Sequence, residues 1–155
     1  MRPFVALALT LSLCAIAVPL PRPSARRASW PLPPIPASVP RARRLICGQL
    51  AEWGIGEQGE IARLLVSELV TNALRHAWGP IRLAVSYQEG MLRCEVDDAN
   101  PALPYVRDAH EDDEGGRGLY LLDLLSARWG SERTSLGKVS WFELAIHPRF
   151  NGTAA

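Results

Sequence analysis

The chain reads as an α+β protein, a two-layer sandwich with helices on one face of a mixed, mostly antiparallel sheet, and three observations predict this. Between residues 67 and 77, polar and apolar residues come in alternating pairs. At about 100° per residue, that pattern divides a helix into a polar half and an apolar half. Residues 81–87 and 91–96 alternate singly, the two-residue period of half-buried strands, on either side of Glu89-Gly90. Residues 129–134 and 139–146 repeat the strand signature around a Leu136-Gly137-Lys138 turn. Short turns favour antiparallel neighbours, and the helices then cover one side.

Taken in order, the chain opens with Arg2 and an apolar or small-residue run from residue 4 to 20. Residues 1–20 read as a secretory signal with Ala15-Ile16-Ala17 as cleavage site, as a marginal membrane anchor, or as a segment upstream of the true start. A lipoprotein signal fits poorly, because Leu13 precedes Cys14 where a small residue is needed. Residues 21–29 form a Pro/Arg linker, and the extended character continues to Pro36, with residues 30–36 suited to a sheet edge. Ser38 reads as an N-cap with Pro40 just inside a helix that runs to Trp53 and buries Leu45, Ile46, Gln49 and Leu50. A second helix is expected over 58–77, ended by Gly79-Pro80. After the 81–96 hairpin, residues 99–116 lack periodicity and hold mainly Pro, Asp, Glu and Gly, which in a small domain favours a functional lid. A third helix is expected over 118–127 with Leu119, Leu122 and Leu125 inward. The main domain therefore covers residues 30–150, with a tail at 151–155.

The 155 residues suffice for one domain with a real core, and 48% apolar with 21% charged residues is ordinary globular composition. A formal net charge of +1 without a basic stripe argues against direct nucleic-acid binding. Cys14, Cys47 and Cys94 are isolated, odd in number and not spaced with His as zinc ligands, so they are expected as reduced thiols. Cys47 and Cys94 fall at apolar positions where packing is their natural role.

On the second helix Glu68, Asn72 and His76 recur at i, i+4 and i+8 and so line one face. A carboxylate one turn before a carboxamide can position a water with the first group and a hard cation with the second. Taken alone, the segment is better explained by a solvated helix face. Downstream come Val96-Asp97-Asp98-Ala99-Asn100-Pro101, then Glu114-Gly115-Gly116-Arg117-Gly118-Leu119, then Gly137-Lys138 entering a strand. In this order and spacing the motifs resemble the nucleotide-binding boxes of the Bergerat-type ATPase fold of DNA gyrase, histidine kinases, MutL and a heat-shock chaperone. The chain is most similar to single-domain anti-sigma-factor serine/threonine kinases of actinobacteria, over residues 30–150.

The resemblance implies ATP and Mg2+ as cofactors and a role for each motif. Asp98 would read the adenine amine, with Asn100 replacing the family's glycine. Gly116, Arg117 and Gly118, leading into a helix, with Leu119 in its first turn, would bind phosphate through backbone N–H groups and the guanidinium. Asn72 would hold magnesium and Glu68 would act as general base. Lys138 matches a Gly-Lys turn of the group, and Val139 or Ser140 stands where many relatives place a Thr near the adenine. His76 reads as a helix-end cap, and Asp112, Asp113 and Glu114 as solvated lid residues. The implied function is phosphorylation of a small STAS-type antagonist, with a sigma factor as a second partner. The alternative is an inactive ATP-binding module acting by nucleotide-dependent docking. The resemblance also allows a homodimer. A cytoplasmic protein is expected, with membrane tethering through residues 4–20 as the alternative. A histidine kinase is disfavoured, since no phosphoacceptor His lies on a preceding dimerisation helix.

Overall fold

A computed structural model describes residues 25–76, 79–100 and 114–147, with backbone alone at 114–116. The N-terminal run, most of the expected lid including Asp112 and Asp113, and the tail lie outside the described residues. The elements are β1 (Arg26–Leu32), α1 (Ser38–Glu52), a 3-10 turn (Gly56–Gln58), α2 (Gly59–His76), β2 (Ile81–Gln88), β3 (Met91–Asp98), α3 (Glu114–Leu125), β4 (Arg128–Thr134) and β5 (Gly137–Ala145).

The strands form one sheet in the order β1-β2-β3-β5-β4, and every pairing is antiparallel. The mostly antiparallel sheet expected from the sequence is thus found, with no parallel pair among the described residues. Glu89 and Gly90, both at positive φ, turn β2 into β3, and a two-residue turn joins β4 to β5. After α3, the N–H of Ala127 donates to the Glu143 carbonyl, and Arg128 pairs with Glu143, which in turn pairs with Arg93. The chain has therefore returned to the end where β3 begins, so β4 runs in the direction of β3. β5, hairpinned from β4, fits between them antiparallel to both.

Three boundaries differ from the sequence reading. β1 starts at Arg26, inside the stretch expected to be linker; as an edge strand it tolerates Pro31, whose missing N–H lies in an incomplete ladder. Ala37 rather than Ser38 holds the N-cap position, and the Ser38 hydroxyl donates to the Pro33 carbonyl, where it tethers the strand exit. α3 begins at Glu114, so Gly116, Arg117 and Gly118 lie within the helix instead of ahead of it. Each glycine costs a helix interior roughly 1 kcal/mol relative to Ala. Tertiary packing at Gly118, described below, explains why one is placed there.

One sheet face is covered by helices. Ala42, Ile46 and Leu50 of α1 and Leu65, Val66, Leu69 and Val70 of α2 pack on Leu83, Val85, Cys94, Val96 and Phe142. Leu45 and Gln49 are only half-buried, because the stripe on α1 continues through Ser38 and Ala42 at i, i+4 spacing. On the opposite face Arg93 lies 4.0 Å from the Trp141 ring centroid and pairs with Glu95 at 2.7 Å and Glu143 at 3.0 Å. Among the described residues no helix is long and apolar enough to cross a membrane.

Cys94 carries a pH dependence. Burial pushes its thiol up, and the neighbouring Glu95 carboxylate adds to the shift. An unfolded thiol ionises from about pH 8.5. Above that pH the unfolded chain sheds a proton that the native state keeps, so stability falls as pH rises, by up to about 1.4 kcal/mol per unit from this group. Urea denaturation between pH 8 and 10.5 should show the parent losing stability more steeply than Cys94→Ala; parallel curves would remove the thiol from the account.

Candidate functional site

The polar half of α2 and the first turns of α3 face each other across a cleft of about 50 Å3. That is room for roughly three to five waters at about 10–15 Å3 each. Glu68, Leu69, Thr71, Asn72 and Arg75 of α2 form one wall, and Gly118, Leu119 and Leu122 of α3 form the other. Trp129, Gly130, Ser131 and Ser140 make the floor. The helix period puts Glu68 and Asn72 one turn apart on this wall, while Leu65, Val66, Leu69, Val70 and Ala73 are buried in the core. A Cβ on Gly118 would lie 2.6 Å from Glu68 Oε2. The bare α-carbon therefore lets the carboxylate rest against the helix. On the floor, the hydroxyls of Ser131 and Ser140, cross-strand partners, are 2.8 Å apart.

A second group of expected residues sits at the end of β3. Asp98 Oδ1 accepts the N–H of Asn100 at 2.8 Å, and Asn100 Nδ2 donates to the His76 carbonyl at 2.7 Å. The exit from β3 is thereby tied to the C-terminal end of α2. Asp98 is the cross-strand partner of Lys138, whose Nζ lies 3.4 Å from Asp98 Oδ2. The two side chains are only 1% and 2% exposed, and Oδ2 has no hydrogen bond. Their ion pair is real in distance but longer than the roughly 2.7–2.9 Å of a charge-assisted hydrogen bond. Val96 pairs with Ser140 two residues back on the same strands. The Asp98–Lys138 pair is thus the next step on the same face beyond the cleft floor, about 7 Å along the strand.

The structure therefore brings Glu68, Asn72, Gly118 and Leu119 together around one cleft and Asp98, Asn100 and Lys138 together at its strand end. Arg117 is exposed on α3 and does not line the cleft, and Gly116 lies in the first turn, among the residues whose N–H groups a helix leaves unpaired. Gly118, at the fifth helical position, has the Glu114 carbonyl within reach of its N–H. The phosphate-binding expectation for this residue thus changes from backbone donor to close-approach position. His76 is exposed and contributes its carbonyl. Between Val139 and Ser140, Ser140 is buried on the helix-covered face and lines the cleft. Sequence reasoning missed Thr71, Arg75, Trp129 and Ser131. Thr71 and Arg75 were readable at i+3 and i+7 from Glu68, whereas Ser131 needs the β4–β5 register.

Gly137 holds the strand end in place. Its φ is 155°, and a Cβ there would lie 2.0 Å from the Asp98 carbonyl oxygen and 2.7 Å from Ala99. Because these are backbone atoms, a side chain has to push the Asp98–Asn100 segment away. Gly137→Ala should cost at least about 2–3 kcal/mol, read as a lowered midpoint in thermal denaturation. A midpoint equal to the parent's would show the close approach to be dispensable.

The residues fit an adenine nucleotide. Asp98 Oδ2 is a buried acceptor without a donor, which is what an exocyclic amine requires. Asn72 offers a carboxamide oxygen suited to a hard cation. Among the described residues no cluster of three His, Cys, Asp or Glu could hold a metal alone, so magnesium here would depend on phosphate and water oxygens for its remaining ligands.

Comparison with known proteins gives the same reading at the level of the family. One solved structure, the histidine kinase domain from the Erythrobacter litoralis EL346 blue-light activated histidine kinase, is 29% identical, with a TM-score of 0.46 over 59% of this chain and 46% of that one. The chain thus spans less than half the length of that structure. No curated protein matches. The family model described as the histidine kinase-like ATPase domain matches residues 32–142, from the last residue of β1 to the middle of β5, and this ATP-binding chain belongs to that family.

Proposed function

We propose that this ATP-binding domain is a cytoplasmic protein serine/threonine kinase of the anti-sigma-factor type, which phosphorylates a small STAS-type antagonist and holds a sigma factor when the antagonist is unavailable. The observation behind it is the Glu68 carboxylate resting against Gly118 one turn from Asn72, a proton acceptor beside the α3 wall of the cleft. Magnesium ATP supplies the electrophilic terminal phosphoryl group. Asp98 accepts from the adenine amine, Asn72 presents its oxygen to the metal, and the unpaired N–H groups at the start of α3 face the phosphates. Glu68 takes the proton of an incoming Ser or Thr hydroxyl as its oxygen forms the new ester bond and ADP leaves. Leu69, Leu122 and Trp129 limit water on the core side of the cleft.

A second reading, nucleotide-dependent docking without transfer, draws on Tyr120 and Leu124, large apolar side chains one turn apart and exposed on α3. Incubating the protein with labelled ATP and candidate antagonist proteins separates the two. Label on a Ser or Thr of the antagonist supports the kinase; an ATP-dependent complex that never acquires label supports docking and overturns it.

A further inference from the structure

The whole-chain charge of +1 conceals a division along the sequence. Residues 1–51 carry seven arginines and no acidic residue, a formal +7, while the other 10 of the 17 basic residues and all 16 acidic ones lie from Glu52 onward, a formal −6. The fold does not neutralise that division. Arg63, Arg82, Arg93 and Arg128 each pair with a carboxylate, whereas Arg41, Arg43 and Arg44 of α1 have no such partner among the described residues. Arg41 and Arg44 are exposed and, three residues apart, share the face of α1 turned away from the core, while Arg43 is half-buried. Ile35, 48% exposed, lies just before them, its carbonyl accepting the Ser38 N–H at the helix start. At the far end of α1 the Arg26 guanidinium donates to the Trp53 carbonyl. α1 thus has guanidinium groups at both ends, an exposed aliphatic side chain by its first turn and no acid before its last residue, Glu52.

We propose that this face of α1 is a docking surface for an anionic membrane. Cationic side chains beside an exposed isoleucine match a bilayer interface, where guanidinium groups pair with headgroup phosphates and an aliphatic side chain enters the acyl boundary. The sequence ahead of β1 singles out lipid among polyanions. Residues 4–20 hold no charged side chain, their number is near the lower limit for spanning a bilayer, and five residues separate them from Arg26. Five residues bridge at most about 18 Å, so a bilayer that takes up this run is held close to β1 and α1. Only Arg2 precedes the run, and Arg22, Arg26 and Arg27 follow it, an excess that sets the folded domain on the cytoplasmic side, where anionic lipid attracts it. α1 contributes no residue to the cleft between α2 and α3, so docking uses none of the groups assigned to ATP.

The test uses the full-length chain synthesised in the presence of vesicles, either phosphatidylcholine alone or an equal mixture with phosphatidylglycerol. Phenylglyoxal modification, read by peptide mass spectrometry, should slow at Arg41 and Arg44 about fivefold or more on the anionic vesicles, the factor one arginine gains near such a surface. Arg133, exposed on β4, should react equally on both. In flotation at low salt, Arg41→Gln/Arg44→Gln should weaken binding to the anionic vesicles about 20- to 30-fold and leave binding to the neutral ones unchanged. Exposed helix positions tolerate such changes, and the modification rates of the parent decide without the variant. Equal rates at Arg41 and Arg44 on the two vesicles, or an anionic preference that the double variant keeps, would overturn the proposal. Protection of the two arginines by soluble polyglutamate but not by vesicles would also overturn it and give the face to an acidic protein.

Discussion

Glu68→Gln is expected to lower phosphoryl transfer to the antagonist by about 10²- to 10⁴-fold, the range for a lost general base, while ATP binding is retained. The amide preserves the size and the contact with Gly118 but cannot take a proton. Transfer measured at saturating ATP, with affinity measured separately, distinguishes a lost proton acceptor from a lost ligand. Gly118→Ala makes a graded companion. Its new Cβ meets the flexible end of Glu68, 2.6 Å away, so the fold should survive while the carboxylate is displaced. Transfer is then reduced without the chemical group being removed. Undiminished transfer by Glu68→Gln would take the general-base role away from this residue.

Asp98→Ala should destabilise the protein by about 3–5 kcal/mol, because it leaves the Lys138 ammonium buried without its counter-charge. The Asn100 N–H loses its acceptor in the same change, which loosens the link from β3 to His76. Asp98→Ala combined with Lys138→Met should recover most of the loss, since a buried pair replaced by apolar groups costs little. Urea denaturation of the parent, the single variant and the pair decides the matter. A single variant within about 1 kcal/mol of the parent, the scale of an ordinary surface change, would show that the ion pair does not govern this strand end. There is a practical corollary for binding work. Loss of ATP affinity in Asp98→Ala mixes adenine recognition with structural damage, because the same change leaves the buried Lys138 without its counter-charge.

Local signals in the sequence were strong where one side chain pattern served one environment. The paired polar and apolar residues of α2 placed Glu68 and Asn72 on a common wall, and the alternation through residues 81–96 gave the β2–β3 hairpin. β1 escaped because its Arg and Pro composition is that of a linker, and only pairing with β2 makes it a strand. The start of α3 escaped because glycines argue locally against helix, and the reason for Gly118 lies across the cleft in Glu68. Lys138 was singled out by its motif alone. Its burial against Asp98 depends on the β3–β5 register, a contact between residues 40 positions apart that no periodicity records.

The clasp between the Asn100 amide and the His76 carbonyl has a mechanical consequence. It ties the strand that ends in Asp98 to the helix that bears Asn72, with the roughly 1 kcal/mol of one net hydrogen bond resisting their separation. On the proposed function, telling a diphosphate from a triphosphate would then fall to α3, the wall on the far side of the cleft.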